Sequence, residues 1–313
     1  MTSKFRSAKL ALQALLIGAA LTTSLTAVTW AQEAVTMTPT DDVAALPGVA
    51  FNQALADKLP EAMKTAGVMK VATDLTPPIS FHDENGDLVG IDADLAAAMG
   101  VILGLKIEMT DVGAGAAIVP SIMSKRFDIS ISGINDDPEL EKQVDVIDYM
   151  FDATTIMTQM GNPLGNTGMA DLCGKTVAVP VGTFQARLVE AASAECETPM
   201  NITSIPKMPD VLQAVRTGRA DATVNGYATS VYTTANQTGN GTGLEALPDV
   251  RLAVGYLGML TAKDNSEFRD VVVETLQSMV DSGAYGTIMA KWELAPLAVT
   301  EVKVNDAASY PAE

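Results

Sequence analysis

Apolar and polar positions alternate in short blocks along most of the chain, and the blocks change period in a regular way. Val68 to Thr73 reads as a strand, and Asp94 to Leu103 has the composition of a helix. Lys106 to Met109 reads as a strand, Ile118 to Lys125 as a helix, and Asp128 to Ser132 as a strand again. Between the first strand and the first helix, Asp83-Glu84-Asn85-Gly86-Asp87 carries Asn-Gly at its tip, a hairpin signal because both central residues tolerate positive φ. Asp136-Asp137-Pro138-Glu139 predicts a helix start, with an Asp cap and Pro in the first turn. Thr154 to Gln159 then reads as a strand leading onward, into a loop at Gly161-Asn162-Pro163 and Gly165-Asn166.

The rhythm repeats. Strands are expected at Thr176 to Val179, Ile202 to Ile205, Ala222 to Val224 and Arg251 to Val254, with helices near Thr183 to Ala194, Pro209 to Thr217 and Ala228 to Ala235. Gly239, Gly241 and Gly243 mark a loop, Gly255 to Thr261 a returning strand, and Asn265 to Ser282 and Tyr285 to Trp292 two closing helices. Strands alternating with helices predict an α/β protein whose mixed sheets carry helices on both faces. Two stretches lack a clear period: residues 32–58, expected to be a loosely ordered leader, and the tail 296–313.

Composition narrows the possibilities. The chain has 313 residues, enough for two lobes with separate cores, and 48% hydrophobic residues, as in globular proteins. Residues 1–31 hold Lys4, Arg6 and Lys9 and no acid. Without them the 20 basic residues fall to 17 against 38 acidic, a net charge of −21 that argues against nucleic acid and anionic membranes. That N-terminus, with an apolar stretch from Leu10 to Leu21 and small residues Thr29 and Ala31, reads as a signal peptide cleaved before Gln32; an uncleaved anchor is the alternative. With one histidine, His82, no metal-ligand cluster or Ser-His-Asp site is expected, and no cofactor. Cys173 and Cys196 could form a disulfide or remain two buried thiols.

A set of landmarks spans about Leu59 to Leu294: Val71-Ala72-Thr73-Asp74 with Pro77-Pro78, Gly90-Ile91-Asp92-Ala93-Asp94-Leu95, Phe127-Asp128-Ile129 with Ser132-Gly133, Gly174-Lys175-Thr176-Val177, Gly182-Thr183, Gly218-Arg219-Ala220-Asp221-Ala222, and Gly283-Ala284-Tyr285 with Lys291-Trp292. On these the chain resembles the periplasmic amino-acid-binding proteins of ABC importers, solute-binding protein family 3. The resemblance implies a type II-like fold of two lobes joined by a hinge of two crossing strands. Lobe 1 would comprise residues 59–159 and 257–295, lobe 2 residues 160–256, with closure about residues 157–163 and 254–260. It also implies a Cys173–Cys196 disulfide, a periplasmic, non-lipidated monomer, a small polar solute as ligand, an ABC permease as partner, and no catalysis. A sensory binding protein and a dehydratase-like enzyme on the same fold are the alternatives.

By the same resemblance the cleft should be lined by Asp74, Ser132, Asn135, Thr183, Phe184, Gln185, Asn225 and Tyr227. Yet four of the family's customary amino-acid contacts are replaced. Leu140 stands where relatives use a carboxylate-gripping arginine, with no other arginine expected nearby. Gly226 stands near their ammonium-pairing aspartate, and Leu75 and Gly115 near their aromatic walls. Phe81 is a candidate replacement wall or a packing residue under its loop, Asp137 a cleft group or a helix cap. The expectation is a neutral polar or cationic solute lacking an exposed carboxylate, with ordinary α-amino acids binding weakly.

Overall fold

The computed structural model describes residues 33–113, 116–237, 243–247 and 249–310. The proposed signal peptide, Gly115, Gly239 and Gly241 lie outside the described residues. Along the chain the elements are β1 Val35–Met37, α1 Asp41–Ala44, α2 Gln53–Ala56, α3 Glu61–Ala66, β2 Val68–Thr73, β3 Phe81–His82, β4 Leu88–Val89, α4 Ile91–Leu103, β5 Lys106–Asp111, α5 Ile118–Met123, β6 Ile129–Asn135, α6 Pro138–Glu141 and β7 Asp145–Gln159. There follow β8 Thr176–Pro180, α7 Phe184–Ala194, β9 Asn201–Ile205, α8 Met208–Arg216, β10 Ala222–Gly226, α9 Tyr227–Ala235, β11 Leu244–Ala246, β12 Leu252–Thr261, α10 Ser266–Ser282, α11 Ala284–Lys291 and β13 Ala298–Val304.

Among the described residues eleven strands form one sheet along the path β1-β5-β2-β6-β12-β7-β10-β8-β9, with β11 and β13 also paired to β7, and β3 and β4 form a separate two-stranded sheet. Strand β7 carries the architecture. Its first half, Asp145 to Asp152, pairs antiparallel with Thr261 to Gly255 of β12; its second half pairs with β10, from Thr154↔Gly226 to Thr158↔Ala222. The partner change falls at Asp152 to Thr154, earlier along β7 than the expected 157–163. There the β12 register slips between Leu252 and Gly255, and Ala253 takes φ 43°.

Apolar packing divides to either side of that point. One core gathers Met69, Ile91, Leu95, Met109, Ile131, Tyr149, Met259, Phe268 and Tyr285. Another gathers Ile156, Val177, Val179, Val189 and Val224 beyond the crossing. Helix α4 is buried on every face, which explains its nearly unbroken apolar sequence. Its buried Asp92 accepts from the Tyr149 hydroxyl at 2.7 Å, and the Tyr285 hydroxyl donates to the Tyr149 carbonyl at 2.5 Å. Burial pushes Asp92 well above the usual carboxylate range, opposed by the bond from the Tyr149 hydroxyl.

Two segments differ from expectation. Residues 33–58 are not a loose leader: β1 pairs with β5, and Val43, Val49 and Leu55 are buried in the first core. The tail is ordered to Tyr310. Strand β13 pairs with β7, and the Tyr310 ring meets Phe151 and Tyr256 edge-on at 5.4 and 5.1 Å. Beyond the crossing, Cys173 and Cys196 are joined as a disulfide. It links the segment just before β8 to the segment just after α7, the two ends of a strand–helix unit.

Candidate functional site: a cleft at the strand crossing

A cavity of about 890 Å³ opens beside Asp152, where β7 changes partners. Elements from both sides of the crossing line it: the ends of β2 and β6, the start of α6, the β8–α7 turn and the β10–α9 turn. The volume suits a small solute.

On the first side, Asp74 follows β2. Desolvation in the cleft, then the nearby Asp111 carboxylate, push Asp74 up to about 7, against a weak bond from Thr76. Ser132 and Asn135 lie on β6, which bends at Gly133. That residue has φ 59°, and a Cβ there would meet Ile79 at 3.1 Å. The Ser132 hydroxyl is shared with Ser130 at 3.1 Å. Asp137 caps α6, with Oδ1 accepting from the Glu139 and Leu140 amides at 2.9 and 3.1 Å. Leu140 is buried yet borders the cavity, presenting only hydrocarbon.

On the second side, Thr183 caps α7, accepting from the Ala186 amide at 3.2 Å. Phe184 lines the cavity, so it does furnish an apolar wall. Gln185 donates across the cleft to Asn135 Oδ1 at 2.8 Å. Asn225 is buried at the end of β10, and its Nδ2 donates to no protein acceptor among the described residues.

Seven of the eight expected residues therefore surround one cavity. Tyr227 does not: its ring packs beneath the Arg251 guanidinium, 3.2 Å from the ring centre. It begins α9 with its side chain turned to the neighbouring β12 segment. Phe81 also packs elsewhere, against Tyr232 and Trp292 at 5.7 Å each. Leu75 packs against the first core. Asp137 unites both expected roles, capping α6 through one oxygen while the other meets the cleft.

Three charged residues of the lining were missed: Arg187, Asp152 and Glu139. Arg187 lines the cavity and donates to Asp137 Oδ2 across the cleft, correcting the expectation that no arginine lies near Leu140. The signal was available: Arg187 follows the Thr183 cap by four residues and so shares its face of α7. Asp152 lies in mid-β7 and is buried, with Oδ1 accepting from the Ala228 amide at 3.2 Å. Burial pushes it up to about 6, opposed by the backbone amides of Ala153, Ala228 and Tyr227 and, more weakly, by the Arg251 charge.

Comparison with known proteins fits this geometry. Residues 69–295 match the family model "Bacterial extracellular solute-binding proteins, family 3". The chain belongs to this family. The arginine-binding protein ArgT of Corynebacterium glutamicum is 28% identical over 254 residues, 79% of this chain and 81% of that one. A solved ancestral arginine-binding protein bound to arginine is 29% identical, with a TM-score of 0.66, covering 72% of this chain and 98% of its own. A solved ancestral amino-acid-binding protein, described as a precursor of cyclohexadienyl dehydratase, is 28% identical with a TM-score of 0.65, covering 74% of this chain and 97% of its own. The chain is thus a solute-binding receptor of the ABC-importer type, with the two-domain α/β fold of its family. Among the described residues no helix is long and apolar enough to cross a membrane.

Proposed function

We propose that this family 3 protein captures a small solute bearing a protonated nitrogen and no exposed carboxylate. It delivers that solute to an inner-membrane permease as a soluble, exported monomer that is not lipidated and does no chemistry of its own. One observation carries the ligand class: the cavity's charge balance. Among the described residues its lining holds Asp74, Asp137, Glu139 and Asp152 against a single cation, Arg187, and that cation is paired with Asp137. Leu140 offers a carboxylate nothing, while a protonated nitrogen would meet desolvated carboxylates. The relatives' arginine specificity supports a cationic group in the ligand; the residues around Leu140 support the missing carboxylate.

Agmatine and arginine separate the two ends of the argument, because they share a guanidinium and differ by the carboxylate. Calorimetry with both, together with putrescine, glutamine and glutamate, should find agmatine or putrescine bound at least tenfold more tightly than arginine, and no binding of glutamate. Arginine or glutamine bound at micromolar affinity, more tightly than both amines, would overturn the reading.

A further inference from the structure

The neighbourhood of Gly226 is occupied, although Gly226 itself has no side chain. A Cβ built on it would lie 2.6 Å from Asp152 Oδ2. Gly226 has φ −53° and ψ 139°, values that any residue adopts, so the backbone does not demand glycine there. What demands it is the Asp152 carboxylate. This carboxylate arrives from the adjacent strand and sits over the β10–α9 turn, beside Asn225 and at the cavity wall. Its placement in the chain is unusual. Asp152 pairs with Gly255 and comes two residues before Thr154, the first β7 residue paired with β10. It therefore stands where the main strand passes from one half of the molecule to the other.

We propose that Asp152 is the anchor for the solute's positive nitrogen, a charge reader mounted on the crossing strand instead of on either lobe. This rests on the reading that the cleft takes a protonated nitrogen. Three observations point the same way. The carboxylate is almost fully buried, no ion pair holds it among the described residues, and burial outweighs the amides and the Arg251 charge that favour its ionised form. Asp74, the other desolvated carboxylate of the cavity, lies at the end of β2, so a cation in the cleft has acids on two sides. Asn225 Nδ2 is an unused donor at the same wall, suited to a neutral acceptor on the ligand. A cation reaching Asp152 restores the electrostatic partner that burial removed, and any proton the carboxyl carries leaves to solvent.

The alternative is that Asp152 merely caps α9 through the Ala228 amide. Asp152→Asn separates the two, because its amide oxygen can still accept from Ala228 while the charge is gone. The probe is whichever of agmatine, putrescine and arginine binds the parent protein most tightly by calorimetry at pH 7.5. D152N should weaken that probe at least 30-fold. It should also flatten the rise of affinity between pH 5 and 7 to whatever Asp74 alone supplies. Its unliganded Tm at pH 8 should equal or exceed the parent's, since a buried ionisable group is gone. The double variant D152S/G226D, which clears the space and carries a carboxylate on β10, should recover most of the affinity; G226D alone, crowded against Asp152, should not. Parent-like affinity in D152N would overturn the anchor while leaving the receptor reading intact. A parent protein that binds none of the three probes would overturn both.

Discussion

At the scale of the residue, the cleft wall carries charges that the sequence reading did not place there: Asp152, Glu139 and Arg187. Sequence alone exposed the empty positions, Leu140 and Gly226, because an absent side chain is legible in one dimension. It did not expose their neighbours in space. Asp152 sits inside the apolar run Tyr149 to Ala153, and an acid in such a run has no one-dimensional partner; only the β7–β10 pairing brings it over Gly226. Arg187 reads as an ordinary helix-surface residue until α7 is docked against α6. Asp137 was legible as a cap because capping is local, and it proves to be a cap and a cross-cleft partner together. This division is testable. Asp137→Ala should cost about 1–2 kcal/mol of stability through loss of the cap. Asp137→Asn, which keeps an acceptor for the two amides, should cost well under 1 kcal/mol, since its pair with the half-exposed Arg187 is solvent-screened. Chemical denaturation of both variants measures the difference; equal losses would show that the ion pair dominates.

At the scale of the element, most strands and helices were legible because their periods are clean. The exceptions have physical causes. In β13 the buried residues Val299 and Val302 lie three apart, because the register against β7 slips between Ala298 and Lys303, so the two-residue period is broken. In residues 33–58 the buried Val43 and Leu55 fall on separate one-turn helices, α1 and α2, and Val49 on the link between them, so no helical period is displayed. The Cys173–Cys196 bond closes a span of 23 residues around β8 and α7. Chain-entropy reasoning gives about 3 kcal/mol for a loop of that order. The C173S/C196S variant should unfold at correspondingly lower denaturant concentration with little change in ligand affinity, since neither cysteine lines the cavity. A loss of affinity alongside unchanged stability would contradict that assignment.

At the scale of the whole molecule, the chain keeps an unusual number of acids away from water. Burial is the leading cause in each case: it raises Asp152 to about 6, Asp74 and Asp136 to about 7 and Asp148 to about 9, and it pushes Asp92 well above the usual carboxylate range. The Asp136 charge adds to the rise at Asp148, and the Glu141 charge to the rise at Asp136. A carboxyl raised in the folded state holds its proton more tightly than in the unfolded chain. Its contribution is therefore complete below the unfolded value and is lost as pH rises through the folded one. With folded values between about 6 and 9, the unliganded protein should lose thermal stability steadily from pH 6 to pH 9, by several degrees in Tm. Calorimetric melts across that range check it; a Tm that holds level or rises would mean these acids are ionised in the fold.

The contacts that span the cleft also bear on time. Gln185 with Asn135, Arg187 with Asp137, and Phe81 with Tyr232 each join one half of the molecule to the other. None of these pairs includes Asp152. Under the proposed reading, contacts that exist only while the halves are together add both to the hold on the cargo and to how long it stays. A clasp of this kind can loosen or tighten without altering what is recognised.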